Sequence, residues 1–132
     1  MLKWVPVRLG VFLRSRNVSS PPESARCLVL DLKMCCKPLK IIEIPRELDG
    51  VSKISLIALK LAPLGIHGIV VSRIGLEGFR AAREYGLRIY RFTGSIEDLE
   101  HALEAGVFEE IDESKIDNRC PCCALNKHVK TT

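Results

Sequence analysis

The fold is decided by residues 65–106, GIHGIVVSRIGLEGFRAAREYGLRIYRFTGSIEDLEHALEAG. The short apolar run at residues 69–71 does not alternate with polar residues, which is typical of a strand buried on both faces of a parallel sheet. Apolar residues at helical spacing follow, and Gly86 ends that predicted helix. A second strand at residues 87–90 leads into a second helix, which begins at the capping box of residues 95–98. Because a helix joins the two strands, we expect them to be parallel.

Three further β-rich segments and one helix precede this unit. The strands are predicted at residues 5–13, 26–32 and 39–44, and the helix at residues 51–61 with Asp49 as its cap. A short turn between the second and third strands predicts an antiparallel hairpin. The predicted fold class is therefore α/β, with about three helices and a mixed five-stranded sheet in which an antiparallel meander lies beside two parallel strands.

A polar segment at residues 14–24, RSRNVSSPPES, separates the first two strands. Its composition predicts a loop, and its length allows either a ligand-binding flap or a mobile connection. The sequence leaves both alternatives open.

Length and composition indicate one domain. The chain has 132 residues, of which 47% are hydrophobic, enough to bury a core. We predict an α/β domain over residues 1–112 and a cysteine-containing tail over residues 113–132 that is flexible unless a metal binds it. No apolar run reaches the about 18 residues of a membrane span, and the amino terminus lacks a signal-peptide cleavage site. We therefore expect a cytoplasmic location and no membrane association.

Basic residues are concentrated near the amino terminus. Residues 1–40 contain eight Lys or Arg and two acidic residues, whereas residues 41–132 contain twelve and fourteen. Such a patch attracts an anion, which could be nucleic acid, a phosphorylated ligand or an anionic metal cluster; the alternative is a solvated basic face. Nucleic acid is not favoured as a partner, because the residues that stack on bases make up only 5% of the chain.

Six cysteines in an intracellular chain indicate metal binding or redox chemistry before structural disulfides. The soft donors that could hold zinc, copper(I) or an iron-sulfur cluster are Cys35, Cys36, Cys120, Cys122, Cys123 and His128. The first two lie at the predicted hairpin tip and could complete a metal site only if the tail folds back to it. The alternatives are free thiols or a disulfide in an unstructured tail. Cys27, within an apolar run, is predicted to be a small core residue.

Two strand-end turns form the candidate ligand-binding site. Their residues are Ser72, Arg73 and Gly75 before the first helix of the deciding stretch, and Thr93, Gly94 and Ser95 before the second. Both turns should open at the same edge of the sheet, where N–H groups at helix amino termini favour an anion and Arg73 adds charge-assisted hydrogen bonds. The alternative is that the glycines make tight turns and that Ser95 only caps a helix.

Residues 51–111 resemble the dinitrogenase iron-molybdenum cofactor biosynthesis family. The resemblance rests on the order of a hydrophobic strand, a turn ending in Ile74-Gly75, a helix, Tyr85-Gly86-Leu87, a strand ending in Ile89-Tyr90, and Thr93-Gly94-Ser95. Residues 5–44 are less similar, because PPESAR stands where the family has a glycine- and aromatic-containing segment. The glycine-rich opening of the family's first helix is reduced here to Gly50.

The resemblance implies a ribonuclease H-like fold and the non-catalytic binding or carriage of an anionic iron-sulfur or iron-molybdenum-type cluster. The implied partners are that cluster and a protein that donates or accepts it. An enzyme is not expected, because two-metal chemistry needs converging carboxylates and Asp31 is the only one in the first two predicted strands. Two other functions stay open: a thiol-redox or zinc-binding module acting through the C-terminal cysteines, and a plain protein-interaction domain.

Overall fold

A mixed β-sheet with helices on both faces forms the centre of the molecule. The computed structural model describes residues 8–32, 37–66, 68–106 and 109–112. Its strands are β1 (Arg8–Arg14), β2 (Asn17–Val18), β3 (Arg26–Asp31), β4 (Lys37–Glu43), β5 (Gly68–Val71), β6 (Arg88–Arg91) and β7 (Glu109–Ile111). Its α-helices are α1 (Gly50–Leu61), α2 (Leu76–Glu84) and α3 (Ile96–Ala105).

The strands lie in the order β4-β3-β1-β5-β6-β7, and β2 pairs with β1. β1, β5 and β6 run parallel to one another. β3 is antiparallel to β1, β4 is antiparallel to β3, and β7 is antiparallel to β6. The predicted antiparallel meander is β1-β3-β4, and the predicted parallel pair is β5-β6. Both predictions are confirmed.

The predicted number of five strands is wrong, because the sheet has seven strands within the described part of the chain. β2 is two residues long and lies in the polar segment that the sequence assigns to a loop. β7 is three residues long and lies in the acidic stretch after α3. Neither strand is long enough to show the alternation of apolar and polar residues that identifies a strand in a sequence.

The helices divide the core into two parts, one on each face of the sheet. α1 and α2 bury apolar side chains against one face; these are Ile54, Ile57, Ala58, Leu61, Phe79 and Ala82. α3 buries Leu99 against the other face, where β1 contributes Leu9 and Val11. The architecture is therefore three-layered, with β1 buried on both sides.

The helix boundaries follow the predicted capping residues. The Asp49 carboxylate accepts a hydrogen bond from the Ser52 N–H at 2.7 Å, at the start of α1. Ser95 and Asp98 form the capping box of α3, and Gly106 ends that helix in the left-handed conformation with φ 73°. Among the described helices, none is long and apolar enough to cross a membrane.

α1 approaches β1 closely at Gly10. A Cβ atom at this position would lie 2.8 Å from Leu61 Cδ1 and 3.1 Å from Cys27 Sγ. Both distances are shorter than ordinary van der Waals contact, so α1 can pack at this separation only because residue 10 has no side chain.

Cys27 belongs to this core, as its sequence context predicts. Its side chain is fully buried on the face that α1 covers. Burial raises the pKa of the Cys27 thiol to about 12, because the thiolate would lose its hydration. Cys27 is therefore a neutral thiol at physiological pH, and it lacks the thiolate character of a metal ligand or a nucleophile.

We expect Gly10→Ala to lower the free energy of unfolding by about 1–3 kcal/mol, because the added methyl group overpacks the contact between β1 and α1. Urea denaturation followed by circular dichroism measures this change. Leu61→Ala removes the side chain that the new methyl group would strike, so the double variant should lose less stability than the two single variants together. If the losses of stability in the two single variants added exactly in the double variant, the close contact between residue 10 and Leu61 would be contradicted.

A second prediction concerns the accessibility of Cys27. In the native protein at pH 8, iodoacetamide should leave Cys27 unmodified, because its thiol is both buried and protonated. Mass spectrometry of the peptide that contains Cys27 measures the modification, and the same reaction in denaturant is the control that should label it fully. Labelling at equal rates in the native and denatured protein would show that this part of the core is open to solvent.

Candidate anion site at the carboxyl edge of the sheet

The carboxyl ends of β1, β5 and β6 meet at one edge of the sheet, because these strands are parallel. β4 also ends there, since Leu13 of β1 and Glu43 of β4 both lie opposite Arg26. Each of the three helices follows one of the strands that end at this edge, so all three helices begin beside it. The sheet extends in opposite directions from the β1-β5 pair, and such a switch point is where open α/β sheets bind ligands.

The turn between β5 and α2 is open at the start of the helix. Gly75 is the N-cap residue of α2, with extended φ −84° and ψ 171°, and no side chain caps the helix. A Cβ atom at Gly75 would meet no other atom within 4 Å. Arg73 is exposed and pairs with no carboxylate in the described part of the chain. Free N–H groups in a first helical turn, beside a cation, suit an anion.

One acidic side chain lies in this first turn. Glu77 is exposed in the first turn of α2 and opposes the charge of an incoming anion. Ser72, at the start of the turn between β5 and α2, donates its N–H to the Ser19 carbonyl at 3.1 Å, so this N–H is not available to a ligand in this conformation. The N–H groups that a ligand could reach are thus those that follow Gly75.

The turn between β6 and α3 is already satisfied by the chain itself. The Ser95 hydroxyl accepts from the Asp98 N–H at 3.1 Å, and the Ser95 N–H donates to Asp98 Oδ2 at 3.3 Å. The Ile96 N–H donates to the Arg16 carbonyl at 2.8 Å. Glu97, in the same turn, forms an ion pair with Arg16. The capping role proposed for Ser95 is confirmed, and this turn forms a wall of the edge rather than an open anion site.

Thr93 and Gly94 complete this wall. Thr93 is exposed, and the Gly94 carbonyl accepts from the Val18 N–H at 2.9 Å. Gly94 has φ 145°, which side chains rarely tolerate, so a glycine is required where the chain turns from β6 towards α3. The structure thus brings all six residues of the two predicted turns to one edge, and among the described residues the Gly75 side is the open one.

Residues 16–24, which we call the strap, lie between the two turns. The strap contains β2, and its residue Ser19 also donates its N–H to the Phe12 carbonyl at 2.9 Å. Ser19, Ser20 and Ser24 are buried. The polar segment at residues 14–24, which joins β1 to β3, is therefore packed against the carboxyl edge, where a ligand-binding flap would lie.

Lys53 also belongs to this region, although no sequence pattern identified it as a candidate site residue. It lies in α1 with 2% of its surface exposed, and its ammonium donates to the carbonyls of Pro22 at 2.9 Å and Ser24 at 2.8 Å. Burial lowers the pKa of Lys53, and the nearby positive charge of Arg46 lowers it further. Its spacing of four residues from Ile57 places it on the buried stripe of α1, but lysines at such positions usually extend to solvent.

The predicted metal ligands Cys35, Cys36, Cys120, Cys122, Cys123 and His128 lie outside the described residues, as does the tail at residues 113–132. Within the described ranges, no group of three or more His, Cys, Asp or Glu residues could hold a metal ion. His101 is exposed on α3. The described residues thus supply hydrogen-bond donors and positive charge at the edge.

A separate groove of about 520 Å³ lies between α2 and β7, away from the strand-end turns. Its lining residues are Phe79, Arg80, Arg83, Glu84, Glu110, Ile111 and Asp112. Its three acidic side chains outnumber its two basic ones, so this groove does not favour an anion.

Comparison with known proteins shows similarity at the level of the fold. No family model and no curated protein matches the chain. The apo form of the orange protein from Desulfovibrio gigas is similar with a TM-score of 0.64 and 14% identity, over 83% of this chain and 96% of that one. A candidate dinitrogenase from Methanocaldococcus jannaschii is similar with a TM-score of 0.59 and 12% identity, over 83% and 98%.

A third solved structure is an NMR structure from Thermotoga. It is described as a candidate NifB protein of the DUF35 family, and it is similar with a TM-score of 0.59 and 18% identity, over 79% of this chain and 92% of that one. The chain therefore has the α/β fold of these small proteins, two of which are named for dinitrogenase or for NifB.

Proposed function

We propose that the protein binds or carries an anionic metal-sulfur cluster of the iron-sulfur or iron-molybdenum type, without catalysis. The observation that carries this proposal is the uncapped start of α2 at Gly75, at the carboxyl edge. It lies beside Arg73, which pairs with no carboxylate among the described residues. Helix N–H groups and an arginine guanidinium together recognise negative charge, and cluster sulfurs accept hydrogen bonds from such donors.

The distribution of charge along this edge supports an anionic ligand. Three arginines there are neutralised by ion pairs, namely Arg16 with Glu97, Arg26 with Glu43 and Arg91 with Glu109. Arg14, Arg46 and Arg73 are exposed and form no ion pair within the described residues. The partial positive charge at the open amino terminus of α2 adds to theirs, whereas Asp49 caps α1 and the capping box of Ser95 and Asp98 caps α3.

The fold supports the same ligand class. Two structures with this fold carry the names dinitrogenase and NifB. We extend that likeness to this chain by assigning it to the ribonuclease H-like class and to the dinitrogenase iron-molybdenum cofactor biosynthesis family. A protein that donates or accepts the cluster is the expected partner, and the cytoplasm is the expected location.

A non-catalytic role fits the placement of the acidic residues. Asp31 lies at the opposite edge of the sheet, where it pairs with Arg8 at 3.5 Å. Two acids of the carboxyl edge, Glu97 and Asp98, are occupied by Arg16 and by the α3 cap, and the exposed Glu77 stands alone in the first turn of α2. Carboxylates engaged in this way are not free to hold the paired metal ions of phosphoryl transfer.

Anaerobic reconstitution with iron and sulfide tests the proposal. We expect bound iron by elemental analysis and visible cluster absorbance, and Arg73→Gln should weaken retention of the cluster about tenfold through loss of charge-assisted hydrogen bonds. Lys60→Gln is the control, because it removes an exposed charge from the far end of α1. Absence of metal and absorbance, together with a reversible loss of two thiols on oxidation, would favour the thiol-redox module instead. Zinc in the protein as purified would favour the zinc-binding module.

A substitution at Gly75 tests the position of the ligand. Gly75→Asp places a carboxylate on the free N–H groups of α2, where there is space for it. We expect it to stabilise the protein by a few tenths of a kcal/mol and to reduce cluster binding, because the side chain takes the place of the anion. Gly75→Asn is the matched control, because it caps the helix without adding a charge. Equal retention of the cluster by the wild type and by Gly75→Asp would place the ligand elsewhere.

A further inference from the structure

We propose that the strap, residues 16–24, is a gate over the carboxyl edge and that Lys53 is the latch that holds it closed. The inference deepens the proposed function and rests on it, because opening the strap would add the Ser72 N–H to the donors of the anion site beside α2. In this structure the gate is closed.

The closed strap occupies hydrogen-bond donors at the switch point of the sheet. The Ser19 carbonyl accepts from the Ser72 N–H, and the Arg16 carbonyl accepts from the Ile96 N–H. Ser72 begins the first strand-end turn, and Ile96 directly follows the second. An anion at the edge would compete for them with carbonyl oxygens of the strap, so ligand and closed strap exclude each other at these positions.

The far end of the strap is fastened to α1. The Lys53 ammonium donates to the Pro22 and Ser24 carbonyls, and its side chain is almost completely buried. Gly50, in the first turn of α1, packs against Pro22, because a Cβ atom at Gly50 would lie 3.0 Å from Pro22 Cδ. This end of the strap is therefore held by the Lys53 ammonium and by the packing of Pro22 against Gly50.

Two effects on the Lys53 ammonium oppose each other in the closed state: its hydrogen bonds and its loss of hydration. Two charge-assisted hydrogen bonds favour the closed state. Dehydration of a cation that contacts no carboxylate within the described residues disfavours it, as does the neighbouring charge of Arg46. When the strap opens, the ammonium regains water or contacts the anion directly. An anion therefore binds the open state preferentially and shifts the population towards it.

Hydrogen exchange on the ligand-free protein tests the gate. Gly50→Ala pushes on Pro22 without changing any charge, and Lys53→Met removes the latch. In both variants the amides of the strap should exchange about tenfold faster than in the wild type, while amides of β1 and β5 keep their protection. Lys60→Met, on the exposed side of the same helix, is the matched control and should leave the strap unchanged. Unchanged exchange of the strap in both Gly50→Ala and Lys53→Met would overturn the gate.

Titration with tetrathiomolybdate, a coloured dianion of molybdenum and sulfur, tests what the gate covers. Gly50→Ala should bind it more tightly than the wild type, and the affinity should rise by the same factor as the population of the open state. Lys53→Met should bind it more weakly than Gly50→Ala, because it opens without supplying the cation. Faster exchange with unchanged affinity in Gly50→Ala would show that the strap covers no ligand site. Failure of every variant to bind tetrathiomolybdate would count against the proposed function, whereas the exchange data decide the gate independently.

Discussion

The parallel pairing of β1 with β5 is the constraint on which the rest of the structure depends. It joins Leu9, Gly10 and Val11 to residues 68–70. From this pair, β3 and β4 extend the sheet on one side and β6 and β7 on the other. Each strand that leads into a helix therefore points the same way. The amino termini of the three α-helices therefore collect at one edge of the sheet.

Much of this architecture could be predicted from the sequence because it depends on local signals. The glycines and the capping box within residues 65–106 mark every boundary of the β5–α3 unit, and the apolar run at residues 69–71 identifies a buried strand. The same signals placed the two strand-end turns on one edge. The two additional strands could not be predicted in this way, since β2 and β7 exist only through pairing with β1 and β6.

The contents of the candidate site were less predictable, because they depend on contacts between distant parts of the chain. Lys53 contacts Pro22 and Ser24, and β3 and β4 lie between that segment and α1 in the chain. No periodicity in α1 distinguishes a lysine that bonds to buried carbonyls from one that extends to water. For the same reason the sequence presented the two turns as equivalent, whereas Arg16 and Val18 satisfy the one at Ser95 and leave the one at Gly75 open.

Because Cys27 is buried in the core, an odd number of cysteines remains to form disulfides. The chain has six cysteines, and the core sequesters one of them as a neutral thiol. The other five are an odd number, so pairing within one molecule always leaves at least one sulfur without a partner. That sulfur is available to a metal, to a small thiol or to a second protein chain. Oxidation of this protein therefore cannot end in a fully closed set of internal disulfides while its core is intact.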